Sequence, residues 1–78
     1  MPAIRSAEDY ERCLIEILRA VGGRASRGHV LREFERRFRS SIPRDAEDVW
    51  PRRLDSAQRR LQSRGLVFAP DPDLWELA

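Results

Sequence analysis

The 78-residue sequence predicts an α+β fold in which three helices are followed by a C-terminal β-hairpin. Three observations predict it. Apolar residues recur at three- and four-residue spacings in three separate segments, as one-sided helices require. After Gly65 the period changes to two short strand-like runs. Each segment is also bounded by residues that start or stop helices, namely Ser6, Gly22-Gly23, Ser26, Pro51 and Gly65. A chain of this length buries roughly 60% of its unfolded surface and makes one small core. Its 41% hydrophobic content, with two Trp and three Phe, is enough for such a core despite 36% charged residues. One domain over residues 1–78 is expected, either a whole protein or one module of a larger effector.

The first helix runs from Ser6 to about Val21, with Tyr10, Cys13, Leu14, Ile17, Leu18 and Val21 on its apolar side. Ser6 is its N-cap, Glu8 and Asp9 sit in the first turn where the helix dipole favours acids, and Gly22-Gly23 stops it. Cys13 lies in the apolar stripe, so it reads as a buried structural thiol; as the single cysteine it has no internal disulfide partner. His29 has no Cys or His at metal-ligand spacing and reads as a surface or helix-start residue. Neither a metal nor a cofactor is expected.

The second helix begins after Ser26, carries Val30, Leu31, Phe34 and Phe38 on one face, and ends near Ser40. Its arginines, Arg27, Arg32, Arg36, Arg37 and Arg39, resemble a basic patch, but Glu33 to Arg37 and Glu35 to Arg39 are i,i+4 pairs of favourable polarity. That face neutralises much of its own charge; the alternative gives Arg36 or Arg39 an auxiliary phosphate contact. Residues 40–49 form a polar, acidic connection in which Pro43 ends any helix reaching it and Asp45 is placed to cap a short turn holding Ala46 to Val49.

Trp50-Pro51 opens the third helix, since proline suits the first turn, and Gly65 closes it. At about 100° per residue, Leu54, Ala57 and Leu61 form a narrow apolar seam with Gln58 beside it. Arg52, Ser56, Arg59 and Ser63 lie nearly opposite, Arg60 stands close by, and Arg53 and Arg64 flank the seam. Residues 49–68 hold five arginines and one acid, Asp55, in a chain whose net charge is only +2. Asp55 is the i,i+4 partner of Arg59; no other arginine of this helix has one. The residues 66–69 and 74–77 are strand-like and joined by Pro70-Asp71-Pro72-Asp73, with Arg24-Ala25 available as a small third strand. Helix, helix, basic helix and hairpin in this order make a winged helix-turn-helix.

An exposed face of guanidinium and small hydroxyl groups on a docked helix suits an anionic groove, and duplex DNA is the expected partner. Arg52, Ser56, Arg59, Arg60 and Ser63 are expected to face the DNA and Arg53 to reach a flanking phosphate, with Arg59 the foremost base reader and Arg59 and Arg60 together carrying most of the binding. All fifteen cationic side chains are Arg. This carries little weight, because base composition of the coding DNA produces such a bias as readily as selection does. The alternative is a protein-docking or dimerisation module, in keeping with the abundance of Arg, Trp and Phe, which favour interfaces.

Trp50, Arg53, Leu54, Ala57, Leu61, Gly65-Leu66-Val67 and Trp75-Glu76-Leu77 resemble the amino-terminal winged-helix domain of Mrr-type restriction endonucleases and related bacterial defence proteins. The resemblance covers most of the chain and lies mainly at packing positions. It implies targeting of foreign or modified DNA for a restriction or defence system, with a nuclease domain or subunit as a further partner; a homodimer is a separate expectation. The chain departs from the family pattern at Ser56, where an aromatic residue is common, at Asp73, where the wing usually has Gly, and at Ala78 in place of Thr. Asp71 and Asp73 put negative charge at the hairpin tip, so the tip is expected to be idle in DNA binding.

Enzymatic readings find no footing in the sequence. It has no Gly-rich phosphate loop, no Ser set with a histidine base, and no Lys for an Asp-Glu-x-Lys nuclease motif. The chain is therefore read as a non-enzyme. No apolar run approaches the roughly 18 residues that span a bilayer, and the opening MPAIRSAEDYER lacks a signal-peptide core, so a cytoplasmic protein with no membrane partner is expected.

Overall fold

Ser6 starts the first helix by a reciprocal exchange with Asp9. The Ser6 hydroxyl accepts from the Asp9 backbone N–H at 3.1 Å, and the Asp9 carboxylate accepts from the backbone N–H of Ser6 at 3.0 Å. The same carboxylate also accepts from the Arg5 N–H at 3.0 Å, and these backbone bonds hold it below the usual carboxylate range. Asp9 is thus a partner in the cap as well as a charge at the helix dipole. Helix α1 (Ala7–Ala20) follows in the computed structural model, which describes residues 3–78. It ends where Gly22 and Gly23 take φ of +95° and +92°, a region that only glycine enters cheaply, so the Gly23 N–H can close back on the Leu18 carbonyl at 2.6 Å.

Strand β1 (Arg24–Ser26) leads directly into α2 (Arg27–Phe38), whose N-cap Ser26 accepts from the His29 N–H at 3.1 Å. His29 accordingly sits in the first turn, half-buried. Two 3₁₀ turns follow, Arg39–Ser41 and Arg44–Ala46. Here one expectation fails. Asp45 lies inside the second turn and caps nothing, because extended Pro43 launches the turn two residues earlier and carries no side-chain cap. The first of these turns also pins the chain's start, since the buried Ile4 donates its N–H to the Ser41 carbonyl at 2.8 Å. Helix α3 (Trp50–Ser63) has Pro51 in its first turn and ends at Gly65, φ +74°, with the Leu66 N–H returning to the Leu61 carbonyl at 2.9 Å.

Strands β2 (Val67–Asp71) and β3 (Leu74–Leu77) form the wing, and β1 adds to it in the order β1-β3-β2 with both pairings antiparallel. The hairpin link is shorter than the sequence suggests. Asp71 still pairs with Leu74, leaving Pro72-Asp73 as the turn, and a register shift between Phe68 and Asp71 absorbs the extra residue as a bulge around Pro70.

Three helices and one sheet face share a core. Leu14, Ile17, Leu18, Phe34, Leu54, Leu61 and Trp75 are all buried in it, as the periodicity requires. Phe34 is the hub of its aromatic part, stacked on Tyr10 at 5.8 Å and on Trp50 at 4.9 Å and tilted against Phe38 at 5.5 Å. Trp50 therefore does two things, opening α3 and fastening it to α2. This is the α+β winged-helix arrangement, with α3 presented beside the wing.

Leu61→Ala is expected to cost about 2–5 kcal/mol in chemical denaturation, as a large-to-small change at a fully enclosed site. A loss below about 1 kcal/mol would show that α3 does not turn its seam inward.

Candidate nucleic-acid interface

The buried seam of Leu54, Ala57 and Leu61 fixes which way every arginine of α3 points. Arg52 and Arg59 stand exposed on the far side with Ser63, and Ser56 is half-buried at the margin. Arg53, Arg60 and Arg64 lie along the edge nearest α1, while Asp55 lies on the opposite edge, nearest the start of α2.

Asp55 does not pair with Arg59. It accepts two parallel hydrogen bonds from Arg27 at the first position of α2, from Nε and Nη2, both at 2.8 Å. The fork geometry of this tertiary pair is better than anything an i,i+4 neighbour offers, and it raises the pKa of Arg27 further. Arg59 is left with a contact to the Ser56 hydroxyl at 3.5 Å, the outer limit of a hydrogen bond.

Arg60 is placed differently from the sequence expectation. Its Nε donates to Glu11 of α1 at 2.8 Å and its Nη2 to the Ala7 carbonyl at 3.4 Å; Arg64 donates to the other oxygen of the same carboxylate. Glu11 is only 8% exposed, yet the hydrogen bond from Arg60 outweighs burial and holds its carboxyl below its ordinary value of 4.5. The third helix thus neutralises part of its charge through a neighbouring helix, which i,i+4 reasoning does not detect. Arg60 is a tether between α1 and α3, and only its remaining N–H groups are free.

Eight of the fifteen arginines lie within 4 Å of a carboxylate: Arg12, Arg24, Arg27, Arg36, Arg37, Arg39, Arg60 and Arg64. On α2, Glu33 holds Arg36 at 2.9 Å and Arg37 at 3.1 Å, and its pKa falls to about 2. Glu35 meets Arg39 at 3.4 Å, so Arg36 and Arg39 are both engaged within their own helix. Among the described residues, Arg52, Arg53 and Arg59 have no acidic partner, and neither has Arg5, which lies against α3 from the lead into α1. Arg19, Arg32 and Arg44, exposed elsewhere on the molecule, also lack one, so four of the seven unpartnered arginines lie on α3 or against its α1-facing edge.

The small hydroxyls differ from each other. Ser63 donates to the Arg60 carbonyl at 2.8 Å, so its proton is already used, whereas the Ser56 hydroxyl has a proton to give. At the wing tip, Asp71 accepts from the Asp73 N–H at 2.9 Å, and the Asp73 carbonyl accepts from the Arg27 N–H at 2.8 Å. The tip is thus docked on the start of α2 and lines a groove with Arg27, Asp55 and Arg59, placing acids opposite the arginines there.

Cys13 is buried, and its thiol is pushed up to about 11 by burial and then by the Glu16 carboxylate, so it is protonated at neutral pH. Among the described residues no three metal-ligating side chains gather, and no helix is long and apolar enough to cross a membrane. Comparison with protein-family models, with curated proteins and with solved structures found no match.

Because the folded-state pKa of Glu11 is depressed, its stabilising contribution is complete above about 4.5 and is lost as pH falls through the lowered value. Glu11→Gln should cost about 1–2 kcal/mol at pH 7, discounted for the 40% and 54% exposure of the Arg60 and Arg64 side chains. In denaturation followed against pH, the gap between the two proteins should close in acid. A gap that stays constant down to pH values well below 4 would mean that the Glu11 charge contributes nothing.

Proposed function

We propose that this chain is a duplex-DNA-binding winged-helix domain whose α3 lies in the major groove. The observation that carries the reading is the outward face of α3, where Arg52 and Arg59 stand without a carboxylate on the side opposite the buried seam. The major groove, about 12 Å wide, admits one α-helix, and a guanidinium pointing into it can bond guanine bidentately. Arg52 and Arg59 take that role, with Ser56 and Ser63 as small groups allowing close approach. Arg53, at the helix edge, neutralises a flanking phosphate and sets register. Arg60 serves chiefly by fixing the angle between α1 and α3. The resemblance to the amino-terminal domains of Mrr-type endonucleases supports a targeting role in a restriction or defence system, with cleavage supplied by a nuclease domain or subunit.

A second reading, docking or dimerisation, is favoured by one specific feature. Leu66 and Phe68, next to and within the edge strand β2, are large apolar side chains left 47% and 49% exposed. The two readings differ in their response to salt. Phosphate neutralisation releases counterions and weakens steeply as salt rises, whereas an apolar contact changes little.

The decisive variant is Arg52→Ala combined with Arg59→Ala, because replacing Arg60 would also break the tie to Glu11 and confuse lost binding with lost stability. In mobility shift on random-sequence duplex DNA, the double variant should bind at least about tenfold more weakly while keeping its thermal transition. If it folds and binds as the unaltered chain does, α3 is not the recognition element and the docking reading takes its place.

The wing supplies a separate expectation. Asp71→Asn with Asp73→Asn keeps the oxygen that accepts the turn's hydrogen bond and removes the charge facing the groove, so duplex affinity should hold or rise. Clear weakening would mean that the tip makes a contact of its own, for example by accepting from a cytosine amino group.

A further inference from the structure

Arg5, Arg53 and Arg60 converge on one cavity of about 250 Å³ between the start of α1 and the edge of α3, which Ala7, Tyr10 and Ser56 complete. No carboxylate lines it. Three other surface cavities each carry two or three acids: Glu35, Glu47 and Asp48 in one, Asp9 and Glu16 in the next, Asp55 and Asp73 in the third. Arg60 has Glu11 as its counter-ion outside the cavity, but Arg5 and Arg53 have none, and like charges so gathered repel one another and are stabilised by an anion.

Tyr10 supplies an independent indication. The residue is 1% exposed, its ring is held by stacking on Phe34, and its hydroxyl is buried without a hydrogen-bond partner. Buried polar groups are rarely left unmatched, and each exception calls for a cause. Ser56 stands across the same cavity with a proton to donate. Arg60 arrives pre-positioned, since Glu11 and the Ala7 carbonyl take only two of its donors. Guanidinium forks, two hydroxyl donors and the absence of a carboxylate match the chemistry of a tetrahedral oxyanion.

We infer that this cavity seats a single phosphate group, held by Arg5, Arg53 and Arg60 with Ser56 and the Tyr10 hydroxyl as donors. Resting on the reading of α3 above, the phosphate is a backbone phosphodiester of the bound duplex; the same chemistry accepts free phosphate. The seat lies beside the helix rather than on its outward face, so it fixes the depth and register of α3 without reading sequence.

The folded chain is titrated with inorganic phosphate against chloride at equal ionic strength, following the Tyr10 ring and Ser56 signals by NMR, and then with random-sequence duplex DNA over a range of salt. Phosphate should shift both signals, and Arg5→Ala with Arg53→Ala should abolish the shift. The same pair should lower duplex affinity equally for all sequences and reduce the slope of log affinity against log salt by about 1, one phosphate's worth. Tyr10→Phe separates function from packing. It keeps the stacked ring, so thermal stability without phosphate should be equal or higher, while phosphate affinity should drop about fivefold. If phosphate moves Tyr10 but duplex does not bind, the site stands with free phosphate as its ligand and the reading of α3 falls. If duplex binds but the Arg5 and Arg53 pair leaves affinity and slope unchanged, and phosphate leaves Tyr10 unmoved, the seat is disproved and the reading of α3 survives.

Discussion

The rotation of α3 about its own axis is set by the burial of Leu54, Ala57 and Leu61 against the rest of the core. Each large aliphatic side chain so enclosed contributes about 1.5–3 kcal/mol, whereas an exposed ion pair contributes about 0–1 kcal/mol. Packing therefore decides the facing, and the ion pairs form wherever that facing leaves them. Once the seam is inside, Arg52 and Arg59 must point outward, Arg53, Arg60 and Arg64 must run along the α1 edge, and Asp55 must meet α2.

Two carboxylates then sort the arginines of α3 and its surroundings. Glu11 takes Arg60 and Arg64, and Asp55 takes Arg27. Both pairs bridge different helices, so the acids that remove charge from the surface also brace the angles between elements. The chain's small net charge of +2 conceals this division. Glu33 and Glu35 pair Arg36, Arg37 and the C-cap Arg39 along α2, while Arg52 and Arg59 on the outward face of α3 have no carboxylate. The balance of the whole molecule says little about the field above any one face.

Elements with strong periodicity were legible in the sequence. All three helices, the wing and the small third strand fall where spacing, Ser6 and Ser26 caps and glycine stops place them, because those signals act within a few residues. The i,i+4 pairs of α2 were legible for the same reason. What escaped depends on distance along the chain. Arg27 is 28 residues from Asp55, and Arg60 is 49 residues from Glu11, so local spacing assigned Asp55 to Arg59 and left Arg60 free. The cap expected of Asp45 failed because the geometry of Pro43 set the turn two residues earlier. Tyr10 read as one more apolar-face residue. Nothing in its spacing marks a hydroxyl that ends up enclosed without a partner.

The bulge around Pro70 has an effect on the sheet's open side. With the order β1-β3-β2, strand β2 is an edge, and the aromatic side chain of Phe68 stands half in water beside it. Such an edge invites a strand from another molecule to extend the sheet indefinitely. Pro70 offers no N–H, and the shifted register breaks the regular spacing of donors and acceptors just beyond Phe68. A visiting strand can match only the first residues of β2 before its ladder is interrupted, so the protein can display an apolar edge without nucleating fibrils from it.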